Sequence, residues 1–109
     1  MTQSIGIIGA GTMGRGIAQI CAASGFEVTL CDLDQAQLDA AAASIDSGYS
    51  RMVQRERMSD ADAQAALGRL AYNTGLDALA NTDLTIEAAT EMPEVKLPLF
   101  EKIALAELD

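Results

Sequence analysis

The sequence predicts an α/β fold: a parallel sheet with flanking helices, incomplete on its C-terminal side. Three observations predict it. Short apolar, β-branched runs alternate with segments of helical periodicity. The first such run stops on a glycine cluster, GAGTMG at residues 9–14, that opens a helical segment. The sequence stops at Asp109, just after a helical pattern, where a parallel sheet would normally add another strand. That ending is expected to be a truncation.

The elements follow in order. SIGII (4–8) is a short β-branched run closed by Gly9, the pattern of a buried parallel strand. Met13, Ile17, Ile20 and Cys21 fall on one helical face, and Gly25 stands where a helix C′ glycine belongs. EVTLC (27–31) is a second strand, which completes a βαβ unit with a right-handed crossover. Asp34, with Gln37 three residues on, caps a long helix reaching toward Arg57. Its apolar stripe is Leu38, Ala42, Ile45, Tyr49, Met52 and Val53. Ser59 and Asp62 repeat the signature for a further helix with Ala63, Ala66, Leu67 and Leu70 inward. LAYNTG (70–75) is a short strand, GLDAL a single helical turn, and DLTIEAA (83–89) another strand. The segment from Pro93 to Leu108 is expected to be the last helix, kinked or started late because Pro98 removes a backbone donor.

The 109 residues make one small domain with a real core. Half of them are hydrophobic, so the chain is globular. The net charge of −9 makes nucleic acid and anionic membrane surfaces poor partners. No apolar run approaches the roughly 20 residues of a membrane span. The N-terminus has no signal-like region, so a cytoplasmic location is expected. Cys21 and Cys31 lack metal-site spacing and are expected to be buried free thiols; no metal is expected.

The glycine run meets the conditions of a dinucleotide fingerprint: strand before, helix after, acid downstream. Gly9 permits the tight turn, Gly11 lets a pyrophosphate approach the backbone, and Gly14 lets the helix pack close to the strand. The helix N-terminus offers free N–H groups to the phosphates. Gly9, Ala10, Gly11, Thr12, Met13 and Gly14 are therefore the expected cofactor cradle of a Rossmann-type fold. Asp32 lies at the end of the second strand, placed to accept hydrogen bonds from the adenosine ribose. It would repel a 2′-phosphate, and Leu33 and Asp34 supply no cation to hold one, so NAD is favoured.

GAGTMGRGIAQICAASGFEVTLCD together with TDLTIEAATEMPEVKLPLF resembles the N-terminal NAD-binding domain of the L-3-hydroxyacyl-CoA dehydrogenases. Within that family it is similar to the bacterial 3-hydroxybutyryl-CoA dehydrogenases. The resemblance runs from Ser4 to about Leu108. It implies that residues 1–109 are a partial NAD-binding domain, with the C-terminal helical domain for substrate and dimerisation absent. It implies cofactor contacts from Ala88 at a strand end, and from Glu91 and Lys96 near the nicotinamide ribose. Glu87, an acid inside an apolar strand, is expected to be structural. The long helix corresponds to an arm that reaches toward CoA in the family. Matching puts Gly48 at a family serine, whose hydroxyl it lacks, and Arg55 at a family lysine, a candidate acyl-CoA contact. Arg51, Arg55 and Arg57 hold three of the 7 cations, a cluster that suits an anionic ligand or a solvated helix end.

The family's proton transfer uses a histidine held by a glutamate. This sequence has no histidine, so no catalytic residue is assigned and the chain alone is expected to be inactive. The implied parent is an NAD-dependent 3-hydroxyacyl-CoA dehydrogenase, expected to be a homodimer. Two other readings stand beside it: a non-CoA enzyme of the L-gulonate 3-dehydrogenase kind, and a stand-alone NAD-binding module without chemistry.

Overall fold

The structure of the protein is a computed structural model that describes residues 3–88 and the backbone of 94–96. The elements are β1 (Ser4–Ile8), α1 (Thr12–Ala23), β2 (Glu27–Cys31), α2 (Gln35–Gln54), α3 (Asp60–Gly68), β3 (Leu70–Asn73), a 3-10 turn (Leu76–Leu79), β4 (Leu84–Glu87) and β5 (Glu94–Lys96). The sheet order is β3-β2-β1-β4-β5. The first four strands are parallel and β5 pairs antiparallel with β4. The order reverses at β1, which puts a crevice at the carboxyl ends of β1, β2 and β4, where open α/β sheets bind ligands.

Two helix ends show how local chemistry sets these elements. Gly25 takes φ +102°, and the N–H groups of Gly25 and Phe26 donate to the carbonyls of Ala22 and Cys21, which closes α1 with the expected glycine cap. The same bond pattern closes α2 with Glu56 at φ 58°, where glycine would be unstrained. At the other ends, Asp34 accepts from the Ala36 N–H at 3.0 Å and Ser59 from the Asp62 N–H at 3.0 Å. The reciprocal half of the expected Asp34–Gln37 box is replaced: the side-chain oxygen of Gln37 meets Arg15 at 3.4 Å.

Ile5, Ile7, Val28 and Leu30 point to the helical face of the sheet and form the core with Ala18, Ala22, Leu38, Ala41, Ile45, Tyr49, Ala63 and Ala66. The rotation of α1 differs from the expectation. Its inward row is Gly14, Ala18 and Ala22, with Ile17 and Cys21 half-buried beside it. Met13 is 40 % exposed and Ile20 68 % exposed. The reason is close packing: a row of small residues lets the helix lie nearer the strands than large side chains allow. Cys31 is buried and donates to the Gly75 carbonyl at 3.5 Å, whereas Cys21 is only half-buried. Burial raises the pKa of both thiols, which keeps them protonated and weakly nucleophilic.

The expected last helix is corrected where it is described. Residues Glu94–Lys96 form a strand, extended by pairing with Thr85–Glu87 of β4. The rest of that expectation lies outside the described residues.

The helical layer is tied together at the end of α1. The Tyr49 hydroxyl on α2 donates to the Gln19 carbonyl, and Arg69 Nε donates to the Ala22 carbonyl at 2.9 Å. Burial, reinforced by Tyr72 nearby, pushes the Tyr49 hydroxyl up to about 12. The folded chain therefore keeps this proton between pH 10 and 12 while the unfolded chain releases it. The contribution is complete below about pH 10 and is lost as pH rises through 12. Tyr49→Phe is expected to cost about 1 kcal/mol at neutral pH and to make the alkaline decline shallower, leaving the part due to the buried Cys21 and Cys31 thiols and Tyr72. Denaturant titrations at pH 8, 10 and 11.5 check this; an alkaline slope equal to wild type would contradict it.

Candidate functional site

The candidate site is built at the carboxyl end of β1. Gly9 leaves the strand at φ 105°, a left-handed conformation that L side chains rarely adopt. Its N–H donates to the Cys31 carbonyl at 2.7 Å, which ties the turn to the end of β2. Gly11 is the N-cap of α1 and has no side chain to bond the following N–H groups. The first helical bond runs from the Arg15 N–H to the Gly11 carbonyl, so the amides of Thr12, Met13 and Gly14 have no intrahelical acceptor. A Cβ built on Gly11 would meet nothing within 4 Å, so the space above this backbone is open. A Cβ on Gly14 would overlap the Gly9 carbonyl, 2.9 Å from its carbon, and stand 3.6 Å from Ala88 Cβ. These are the three roles the sequence spacing assigned: turn, open approach and close packing.

Asp32 is half-buried at the end of β2. Its Oδ2 accepts the Ala10 N–H at 2.9 Å and its Oδ1 accepts the Asp34 N–H at 2.9 Å. Each oxygen keeps acceptor capacity for a further hydroxyl. Asp32, Ile8, Gly9 and Leu33 line a cavity of about 200 Å³. Leu33 is 88 % exposed and stands at its rim. Ala88 donates its N–H to the Ile8 carbonyl at 2.8 Å, which places it beside the glycine turn. An uncapped helix end, an open glycine backbone and a carboxylate at the end of the next strand suit a pyrophosphate with an adenosine ribose beside it.

A family model for the 3-hydroxyacyl-CoA dehydrogenase NAD-binding domain matches residues 4–107. The chain belongs to this NAD-binding family. It is similar, at 38 % identity over 101 residues, to a 3-hydroxybutyryl-CoA dehydrogenase of Bradyrhizobium diazoefficiens, covering 93 % of this chain and 34 % of that one. It is 39 % identical over 102 residues to the 3-hydroxyadipyl-CoA dehydrogenase of Escherichia coli, covering 94 % and 22 %. Among solved structures, the (S)-3-hydroxybutyryl-CoA dehydrogenase of Ralstonia eutropha superposes with a TM-score of 0.79 at 39 % identity, over 95 % of this chain and 35 % of that one. The chain thus spans about a third or less of the length of these relatives. Rossmann-type topology and NAD as the family's cofactor follow from membership.

Glu91 lies outside the described residues. Lys96 is described only as part of the β5 backbone. Glu87 is half-buried on β4 opposite Ile8. Arg55 is exposed at the C-cap of α2. The hollow near this helix end holds about 560 Å³ and is lined by Arg57 but not by Arg51 or Arg55. Glu56, Asp60 and Asp62 share its walls, so the three arginines do not combine there into an anion pocket. Among the described residues, no helix is long and apolar enough to cross a membrane.

Gly48 is buried, not offered to a ligand. A Cβ there would lie 2.6 Å from Nε2 of Gln19, where α2 crosses α1. Gly48→Ala is expected to change stability by less than about 1 kcal/mol, because improved helix propensity offsets the displacement of one flexible amide. Thermal denaturation checks this, and a loss above about 2 kcal/mol would show that Gln19 is locked.

One residue escaped the sequence expectation. Arg15 directly follows GAGTMG, and its Nε donates to the Ala10 carbonyl at 3.3 Å. The signal was a cation one position past the motif, but its proximity to α2 appears only in the fold.

Proposed function

We propose that this chain is the NAD-holding part of an NAD-dependent 3-hydroxyacyl-CoA dehydrogenase acting on a 3-hydroxybutyryl-CoA-like substrate. The observation that carries the reading is the uncapped N-terminus of α1 over an open Gly11, with the Asp32 carboxylate at the end of the adjacent strand. The amides of Thr12, Met13 and Gly14, with Gly11 and the Gly9–Ala10 turn, would hold the pyrophosphate. The ribose hydroxyls donate to Asp32. Ala88, Glu91 and Lys96 would hold the nicotinamide half, as the resemblance to the family implies. When bound, NAD supplies the hydride acceptor; the chain's own residues hold and orient it.

The names of the relatives favour this reading over a gulonate-type enzyme or a non-catalytic module. Arg55 is a contact for the anionic CoA moiety. The substrate and dimerisation domain belongs to a longer parent, a cytoplasmic homodimer that binds neither nucleic acid nor membrane. With no histidine in 109 residues, the chain by itself lacks the expected proton acceptor and is inactive.

The test is a fluorescence titration of the chain with NADH, paired with an assay of NADH oxidation by acetoacetyl-CoA. Saturable NADH binding without turnover is expected. No binding would contradict the cofactor assignment, and turnover by this chain would contradict the division of labour.

A further inference from the structure

We propose that Arg15, which holds the carbonyl of the same Ala10 whose N–H Asp32 holds, tunes how this site discriminates between NAD and its 2′-phosphorylated form. The proposal rests on the reading that the glycine turn holds NAD. Within the β2–α2 bend itself, Leu33 and Asp34 bring no cation near Asp32. The fold brings one from the other side of the turn. Arg15 Nε donates to the Ala10 carbonyl at 3.3 Å, and its Nη2 donates to the Gln37 side-chain oxygen at 3.4 Å. Asp32 Oδ2 accepts the N–H of the same Ala10 at 2.9 Å. Ala10 is therefore gripped at its N–H by a carboxylate and at its carbonyl by a guanidinium.

Gln37 stands in the first turn of α2, which begins directly after the Asp32–Leu33–Asp34 bend. The guanidinium is thus held between the glycine turn and α2, at the adenosine end of the crevice. A guanidinium has five N–H donors, and these two bonds use two of them. Its stem is already held in place, so a further anionic partner requires little extra ordering.

A ribose bonded to Asp32 through its hydroxyls puts the 2′ oxygen at the carboxylate. A phosphate added there meets two opposed charges. Asp32 is its nearest neighbour and repels it, which favours NAD. Arg15 attracts it through charge-assisted hydrogen bonds and narrows the discrimination. With Asp32 neutralised, Arg15 becomes the partner of the 2′-phosphate.

The test compares NADH and NADPH affinities by fluorescence titration in four chains: wild type, Arg15→Ala, Asp32→Asn, and the double variant. Wild type is expected to prefer NADH. Asp32→Asn is expected to raise the NADPH-to-NADH affinity ratio tenfold or more, and Arg15→Ala in that background to reverse about tenfold of it. Arg15→Lys in the same background is expected to retain part of the gain, and added salt to erode it. Equal losses for both cofactors on Arg15→Ala would overturn the proposal, because they describe a brace for Ala10 and nothing more. A ratio indifferent to Arg15 would overturn it as well. Failure of wild type to bind either cofactor is a separate result: it removes the cradle reading, and this proposal with it.

Discussion

Asp32→Ala is expected to weaken NADH binding by about 10- to 100-fold and to lower the stability of the empty chain by about 1–2 kcal/mol. The two effects have different origins. The affinity loss is the loss of a charged acceptor for the adenosine ribose. The stability loss arises because Ala10 and Asp34 both donate their N–H groups to this carboxylate, at 2.9 Å each. Removing it leaves one part-buried donor in the glycine turn and one exposed donor at the α2 N-terminus without their acceptor. Water replaces the second more easily than the first. Asp32→Asn separates the terms, because an amide oxygen still accepts one of the N–H groups while the charge is gone. Chemical denaturation of the empty chain and NADH titration check the pair. An Asp32→Ala chain that binds NADH like wild type would overturn the ribose assignment, whatever its stability.

Gly14→Ala is expected to cost about 3 kcal/mol or more and to abolish measurable NADH binding. A methyl at this position overlaps the Gly9 carbonyl, a backbone group that has no rotamer to retreat into. Either α1 moves away from β1 or the turn gives up its conformation at φ 105°. The first opens the packing of Ala18 and Ala22 on the sheet, and the second dismantles the approach to the phosphates. For a domain of this size the loss corresponds to a fall in Tm of roughly 12 °C or more. Gly48→Ala is the internal control. It makes the same chemical change in a helix, but meets a side-chain amide instead of a carbonyl. Equal losses at the two positions would contradict the packing role given to Gly14.

Much of this was legible in the sequence because local chemistry and global topology agree. SIGII, EVTLC, LAYN and the middle of DLTIEAA are strands within a residue or two of expectation. Asp34, Ser59 and Gly25 end their helices as their side chains, or the lack of one, dictate. The rotation of α1 was not legible. Hydropathy favours Met13 and Ile20 as inward residues, yet Gly14, Ala18 and Ala22 face the sheet, because the distance between helix and sheet decides the face. That distance is set by Gly14 against Gly9, a contact between backbone atoms that no hydropathy scale registers. Glu94–Lys96 was missed for another reason: its strand exists through pairing with β4, and Pro93 reads locally as a helix start. Arg15 was missed because its partners are Ala10 and a residue 22 positions away on α2.

The electrostatic picture is also sharper than the net charge of −9 suggests. The hollow at the end of α2 mixes Arg57 with Glu56, Asp60 and Asp62. The glycine turn has no acidic residue in the first turn of α1, and Arg15 stands one residue past its motif.

The central claim is the location of the cofactor, and amide chemical-shift mapping with NADH tests it most directly. The largest shifts are expected at Gly9–Arg15 and Asp32–Asp34, with the same pattern, less its nicotinamide part, for ADP-ribose. Shifts confined to Arg57–Asp62, or none at saturating NADH, would contradict it.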